Sequence, residues 1–251
     1  MASKPSAKKP DTLRKAWERV RATEIQLLRK MRQITKHIGH MVSNFPQAGL
    51  NAPETDDLTN MLDRYGSLLE PWARNQGDKM VAEIAKRDEQ AWFKNSKRMA
   101  KLLRTEIATA PTGFVLQAAS QRVASLITSL PIEAAQRIRN LTLEARASGT
   151  RPNDLIIAIQ ASGNVTTSRA RLIARTEVAR TASLLTQARA EHVGSTHYRW
   201  ATVRDGDVRK SHKEMEGKII AWVDPPTLSD GTVCHAGQIY NCRCFPEPIF
   251  D

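Results

Sequence analysis

Apolar side chains recur at helical spacing through most of the first 190 residues. From Asp11, which can cap a helix, they follow helical spacing as far as Ile34, with Glu24 as the one polar exception. The same spacing predicts further helices. Two of them begin near Thr55 and Pro71, and the others cover 114–129, Pro131 to Ala147, 155–160 and 169–191.

Residues that disfavour helix stand between these segments. Pro131 suits the first turn of a helix, so it predicts a new helix that starts there. Ser162-Gly163 predicts the end of a short helix before the long one from Arg169. Loops are also expected at Gly39, over 44–53, at 111–113 and at 148–152.

The pattern changes after the last of these helices. Tyr198, Trp200 and Thr202 alternate with other residues as in a strand, and residues 218–223 form a second apolar segment. The turn signal Asp205-Gly206 lies between them. The expected fold class is therefore α+β, with a long, mostly α-helical N-terminal part followed by a small C-terminal domain of helix plus short β-strands.

The net charge of +12 is concentrated at the N-terminus. Residues 1–50 hold 11 Lys and Arg against 3 Asp and Glu, whereas residues 196–251 hold 7 against 8. We expect a disordered basic tail over 1–12, a helical basic interaction region over 13–150, and a separate domain over 151–251. A basic arm indicates binding to nucleic acid or to an acidic protein surface, and the alternative is a solvated tail that aids solubility.

Basic side chains occupy the outer faces of the predicted first helix. Such a helix can lie on nucleic acid or dock in a partner's groove, or it can be an ordinary surface helix with a solvated face. The candidates for nucleic-acid or partner binding are Arg14, Lys15, Arg19, Arg21, Arg29, Lys30, Arg32 and Lys36.

The chain has no apolar run near the roughly 20 residues that cross a bilayer, so no membrane partner is expected. Its basic N-terminus lacks the apolar segment of a secretory signal. We therefore expect the protein to be made and to act in the cytoplasm of the producing cell.

Histidines and cysteines near the C-terminus could hold zinc. Thiolate and imidazole are the ligands that zinc prefers, and four of them close a structural site. The candidate ligands are His212, His235, Cys242 and Cys244, with Cys234 as a substitute. The alternatives are a disulfide from Cys234 to Cys242 or Cys244, or simply packed thiols.

Charged residues on the last long helix could join that helix to the small domain. Glu177 and Arg180 are three apart and share a helix face. A buried charge here would need a partner, for which Asp205 and Asp207 are candidates, and the alternative is a solvated helix face. The proposed structural clamp consists of Arg175, Glu177, Arg180, Asp205 and Arg209.

An enzymatic role is the minority interpretation, and no catalytic residue is expected. Asp205, His212, Glu216 and His235 could together bind a catalytic ion that hydrolyses phosphodiesters. The near-neutral charge of residues 196–251 argues against a surface that cleaves DNA. The chain also lacks a phosphate-binding Gly-rich loop, a Gly-x-Ser-x-Gly elbow and a His-Glu-x-x-His motif.

Three motifs in order resemble the phage Mu F-like minor head, or head-morphogenesis, proteins. They are Ala174-Arg-Thr-Glu177, then Asp205-x-x-Val-Arg-x-x-His212, then His235-x-Gly-Gln-x-x-Asn-Cys-Arg-Cys244. The resemblance covers roughly residues 150–245. The chain departs from the family at Ala236, where proline is common, and by the additional thiol of Cys234.

The resemblance implies a structural minor capsid protein in the virion, at the portal vertex of the head, assembled in the host cytoplasm. It implies support of head assembly and of DNA packaging or delivery, with the portal protein, the major capsid or scaffolding protein and packaged double-stranded DNA as partners. Residues 13–150 would then contact portal or DNA. Two alternatives remain, a metal-dependent nuclease that acts on phage DNA and a DNA-binding accessory protein that uses the basic N-terminal helix.

Overall fold

A computed structural model describes residues 11–44, 52–95 and 110–250, without the side chains of 11–19, 52–54 and 93–95. Residues 1–10 of the predicted disordered tail lie outside the described residues. The α+β prediction is confirmed. The elements are α1 Asp11–Ser43, α2 Ala52–Leu68, α3 Glu70–Asn95, α4 Gly113–Ser148, α5 Pro152–His192, β1 His197–Thr202, α6 Lys210–Lys213, β2 Ile219–Ala221 and β3 Cys244–Ile249.

The chain forms two compact units. One, here called the helical unit, consists of Glu24–Met80 and Gln117–Glu177. The other, here called the sheet unit, consists of Met1–Thr23, Val81–Leu116 and Val178–Asp251. Helices α1, α3, α4 and α5 each contribute residues to both units. The boundary at residue 150 stays a prediction.

The core of the helical unit is built from apolar stripes. On α1, Met31, Ile34 and Ile38 are spaced three and four apart, and each is at most 2% exposed. This spacing puts them on one side of the helix, so they can be buried together. Leu62 of α2 and Ile127 of α4 are also fully buried in this unit. The helical periodicity read from the sequence is confirmed here.

The predicted helix boundary at Pro131 is wrong. Helix α4 is continuous from Gly113 to Ser148 and contains this proline, which is buried. A proline inside a helix removes one backbone hydrogen bond and usually kinks or ends it. Here the helix continues because Leu130, Ala134 and Ile138 on both sides are buried at 0–1% exposure, and their packing outweighs the lost bond.

The predicted break at Ser162-Gly163 is also wrong, as is the loop at Gly39. Both glycines lie inside long helices, α5 and α1 respectively. A Cβ placed on Gly163 would lie 3.9 Å from Gly39 Cα, so the two backbones pack against each other at this point. Packing of the two helices outweighs the low helix propensity of these glycines.

The sheet unit contains a three-stranded antiparallel sheet in the order β2-β1-β3. Tyr198 on the central strand β1 pairs with Ile220 on one side and with Pro248 on the other. The strands predicted around Tyr198 and within 218–223 are confirmed. Strand β3 was not predicted, because Pro246 and Pro248 argue against a strand. They are tolerated because β3 lies at the edge of the sheet.

Aromatic side chains form the core of the sheet unit. Tyr198 and Trp200 alternate on β1, and both are fully buried. Trp222, which follows β2, stacks on Tyr198 with 4.4 Å between ring centroids. This cluster also includes Cys242 and Cys244, so the two thiols lie in the core of the unit. None of the described helices combines the length and the apolar character needed to cross a membrane.

Candidate functional site

Two thiols and one imidazole meet in the core of the sheet unit. Nδ1 of His212 lies 3.3 Å from Sγ of Cys244 and 3.4 Å from Sγ of Cys242. The potential ligand atoms of the three residues all lie within 4.8 Å of one another. Their side chains are buried, at 2%, 4% and 1% exposure for His212, Cys242 and Cys244. These three residues are here called the thiol–imidazole centre.

The backbone around the centre positions these side chains. Asn241 has a left-handed backbone with φ of 54°, which asparagine tolerates better than most residues, and it turns the chain into Cys242. Cys244 begins β3 and pairs with Thr202 of β1. His212 lies on the short helix α6, with its ring edge against Trp200. The centre therefore joins α6 to the start of β3.

The two thiols interact as a pair. A hydrogen bond between the thiol groups lowers the pKa of Cys242 well below its ordinary value, and the neighbouring His212 lowers it further. The same hydrogen bond raises the pKa of Cys244, and burial adds to that effect. Cys242 Sγ also accepts a hydrogen bond from the Cys244 backbone N–H at 3.4 Å. Of the two thiols, Cys242 therefore loses its proton more readily.

The structure does not bring His235 into this centre. Its Nδ1 lies 3.2 Å from the hydroxyl of Tyr198, and burial lowers its pKa. His235 and Cys234 lie outside the group of potential ligands. Cys234 is half-buried, and burial raises its pKa to about 11. All three cysteines are free, so neither suggested disulfide is present.

The predicted clamp residues on α5 contact several different partners. In the helical unit, Glu177 is 3% exposed and its Oε2 lies 2.6 Å from Nε of Arg122. Also in that unit, Arg175 Nε lies 3.4 Å from Glu24 Oε1. Sequence reasoning missed Arg122 and Glu24, because both are far from α5 in the chain.

Within the sheet unit, α5 holds the loop that precedes the cysteines through backbone carbonyls. Arg180 Nε donates to the Gln238 carbonyl at 2.8 Å, and Ser183 donates to the Ala236 carbonyl at 2.6 Å. Arg209 donates to the Tyr240 carbonyl at 2.9 Å, and its guanidinium lies 4.7 Å from the Tyr240 ring centroid. Arg180 and Arg209 therefore fix the path of the loop.

The two aspartates suggested as partners for a buried charge on α5 contact an arginine of the cysteine motif. Asp205 and Asp207 both pair with Arg243, the residue between the two cysteines. Arg243 is only 13% exposed, so the pairing ties the Asp205-Gly206 turn to the Cys-Arg-Cys segment. The sequence signal was available, since Arg243 lies inside the motif, but the motif drew attention to its cysteines.

A second buried ion pair in the sheet unit was also missed. Arg189 of α5 lies 2.7 Å from Asp88 of α3, and both side chains are at most 10% exposed. Burial raises the pKa of Asp88 to about 6, although the Arg189 charge and the Thr186 hydroxyl act in the opposite direction. Desolvation therefore dominates at this carboxyl.

The four residues of the nuclease alternative do not converge. Asp205 pairs with Arg243, and His235 contacts Tyr198. Glu216 accepts hydrogen bonds from Arg204 at 2.8 and 3.0 Å and from the Thr202 backbone N–H at 2.7 Å. Burial raises the pKa of Glu216, but these hydrogen bonds outweigh it and the net shift is downward. Within the described ranges these groups are separately paired and do not form an ion site.

The predicted basic face of α1 is exposed where its side chains are described. The acid on this stretch, Glu24, is engaged by Arg175. Among the described residues, no acidic side chain forms an ion pair with the basic side chains of this face. The exposed residues are Arg21, Arg29, Lys30, Arg32 and Lys36, whereas Arg14, Lys15 and Arg19 lie on α1 with side chains outside the described part.

These features define a class of small α+β domain. A three-stranded antiparallel sheet packs with the end of a long helix, and a Cys-x-Cys segment and a histidine meet in its core. Residues 136–246 match the family model of the phage Mu protein F-like proteins. This segment of the chain is therefore similar to the phage Mu F-like proteins, and the resemblance read from its three motifs is confirmed.

A protein of Haemophilus influenzae, named only "Uncharacterized protein", is 36% identical over 126 residues. The aligned segment is 50% of this chain and 27% of the relative, so the chain spans about a quarter of that protein's length. No solved structure matches the chain.

Proposed function

We propose that this protein is a minor structural component of a phage or prophage head, bound at the portal vertex, that supports head assembly and DNA packaging or delivery. The observation that carries the proposal is the match of residues 136–246 to the Mu F-like family. The matched segment includes α5, β1, β2 and the first half of β3, so it covers far more than a short motif.

The contacts of the matched domain support a structural role. Arg180, Arg209 and Arg243 each bond to a carbonyl or carboxylate of this chain. These three arginines therefore hold the fold together. The domain would serve as a rigid module, and other surfaces of the chain would contact the portal or capsid.

Co-purification with the portal protein of the same genome tests the portal contact. The two proteins are co-expressed, with a tag on the portal. We expect this chain to elute with the portal, at a fixed ratio, through size-exclusion chromatography. Elution of the folded chain apart from the assembled portal would contradict the proposed contact. The major capsid protein, tagged in the same way, shows whether the contact is specific to the vertex.

DNA binding through α1 is a second candidate function, carried by the exposed basic face of that helix. Lys and Arg that neutralise phosphates release counterions, so such binding weakens steeply as salt rises. The test variant replaces four residues of this face with glutamine: Arg29, Lys30, Arg32 and Lys36. The matched control replaces four other exposed basic residues: Arg64, Lys79, Arg146 and Arg151.

Both variants lose the same number of positive charges, so net charge cannot explain a difference between them. If α1 binds DNA, only the α1 variant loses affinity for a double-stranded fragment, and its salt dependence becomes shallower. Equal losses in the two variants would indicate that the net charge alone attracts DNA. No binding by wild type at low salt would also end this candidate.

A further inference from the structure

The thiol–imidazole centre has the donor chemistry of a zinc site. Two sulfur atoms and one imidazole nitrogen lie within 4.8 Å of one another, and all three residues are buried. Thiolate and imidazole are the donors that zinc prefers, whereas magnesium and calcium require oxygen ligands. No carboxylate belongs to this group among the described residues. The site is therefore suited to a thiophilic cation.

The spacing of the donors also fits a zinc ion. Zinc binds sulfur at about 2.3 Å and histidine nitrogen at about 2.0 to 2.1 Å, so a tetrahedral angle separates nitrogen from sulfur by about 3.5 Å. The observed separations from His212 Nδ1 are 3.3 Å to Cys244 Sγ and 3.4 Å to Cys242 Sγ. The donors already have nearly the spacing that a shared ion requires.

Hydrogen bonds alone satisfy this cluster poorly. Nδ1 of a neutral imidazole has either one hydrogen or one lone pair, so it can bond well to only one of two sulfurs. Two sulfurs nevertheless lie at almost the same distance from it. A cation among the three donors would engage both sulfurs and Nδ1 together.

The geometry points to a structural zinc ion held by His212, Cys242 and Cys244. The ion joins α6 to the start of β3, so its binding energy stabilises the fold. Catalytic zinc sites also use three protein donors, but they keep an open position for substrate. Here all three donors are at most 4% exposed, which favours a structural role.

Cys234 provides a matched control within the chain. It is a third cysteine packed against the same core, but it lies outside the group of donors. Cys234→Ser therefore tests the loss of a thiol without the loss of a ligand. Cys242→Ser and Cys244→Ser each remove one proposed ligand with little change in side-chain volume. His212→Ala removes the third.

The experiment uses the full chain, purified under reducing conditions and stripped of metal, and separate samples are titrated with zinc and with cobalt(II). We expect wild type and Cys234→Ser to bind one ion and to show the thiolate-to-cobalt charge-transfer absorption of a tetrahedral site. Cys242→Ser and Cys244→Ser should each weaken binding by more than about 100-fold, since even residues that only support ligands contribute about 10–100-fold. His212→Ala should keep the charge-transfer band but lose affinity.

Circular dichroism separates loss of the site from loss of the fold. If a ligand variant does not fold, wild type alone still tests the proposal. Bound zinc should slow alkylation of the Cys242 and Cys244 thiols, and removal of the zinc by a chelator should restore the rate of alkylation. Folded wild type that binds neither ion would overturn the proposal. A loss of binding in Cys234→Ser as large as that in Cys242→Ser would also overturn the ligand set.

Discussion

Glu177 is buried in the helical unit with its carboxylate 2.6 Å from the guanidinium of Arg122, a residue 55 positions earlier in the chain. Removal of one member of a buried pair leaves the other charge poorly compensated. We expect Arg122→Ala to lower the free energy of unfolding by about 1–3 kcal/mol, measured by urea denaturation.

Arg139→Ala is the matched control for this change. Arg139 has the same 35% exposure as Arg122, but its partner Asp63 is 38% exposed rather than buried. Pairs in that setting contribute less than about 1 kcal/mol. Equal losses for the two variants would mean that burial of Glu177 contributes nothing to the stability of the pair.

Gly77 permits a close approach of α3 and α4. A Cβ at this position would lie 2.6 Å from the backbone oxygen of Ser120, so any side chain forces the helices apart. We expect Gly77→Ala to lower the free energy of unfolding by about 1–3 kcal/mol, the usual cost of overpacking. Thermal denaturation followed by circular dichroism measures it.

Gly39→Ala serves as the control, because a Cβ on Gly39 would meet no atom within 4 Å. Since Gly39 is inside α1, alanine should stabilise the protein by up to about 1 kcal/mol. If Gly77→Ala and Gly39→Ala have the same effect on the free energy of unfolding, the contact between Gly77 and Ser120 can adjust to a side chain, which contradicts the prediction.

The buried Asp88 carboxyl gives a pH dependence of known sign. Its pKa in the folded protein is raised to about 6 from 3.8, so the folded state binds its proton more tightly than the unfolded state does. The stability that this group contributes is therefore fully present below about pH 4 and is lost as the pH rises through about 6.

Asp88→Asn isolates this contribution, since asparagine does not titrate. The unfolding free energy of wild type minus that of the variant should fall between pH 4 and pH 6. A difference that rises over this interval would show that the attraction of Arg189 outweighs desolvation. A flat difference would place the pKa of Asp88 outside this range.

The Tyr198 hydroxyl lies between two buried polar groups. It is 3.2 Å from Nδ1 of His235 and accepts a hydrogen bond from the Ala236 backbone N–H at 3.4 Å. Tyr198→Phe leaves both groups without this partner, so we expect a loss of about 1–3 kcal/mol in chemical denaturation.

Tyr240→Phe makes the same chemical change at a ring that is 58% exposed, and its effect should stay within about 0.5 kcal/mol. A Tyr198→Phe protein as stable as the Tyr240→Phe protein would show that the hydroxyl does not contribute to the core.

Sequence reasoning found the helical faces because burial follows a local period. Met31, Ile34 and Ile38 could be assigned to the core of α1 from spacing alone. It failed at Pro131 and Gly163, where local propensity predicts a break but packing by other helices keeps the helix intact. It missed β3 because its two prolines are acceptable only at a sheet edge, and the strand order is not local information.

Part of the thiol–imidazole centre could be predicted from the local sequence, and part could not. Cys242 and Cys244 were identified as a pair by their spacing. Both histidines were expected as ligands, but their positions depend on how α6 and the 235–241 loop pack, and the sequence pattern does not specify this. The two histidines differ in the structure, where His212 contacts the sulfurs and His235 contacts Tyr198.

The role in head morphogenesis is tested most directly by deletion of the gene from the phage or prophage that encodes it, followed by counting of DNA-filled heads by electron microscopy. We expect filled heads to decrease sharply and to return when the wild-type chain is supplied in trans. The full-length chain should also be found by mass spectrometry in purified heads. Normal numbers of filled, infectious particles without the chain would contradict the proposed function.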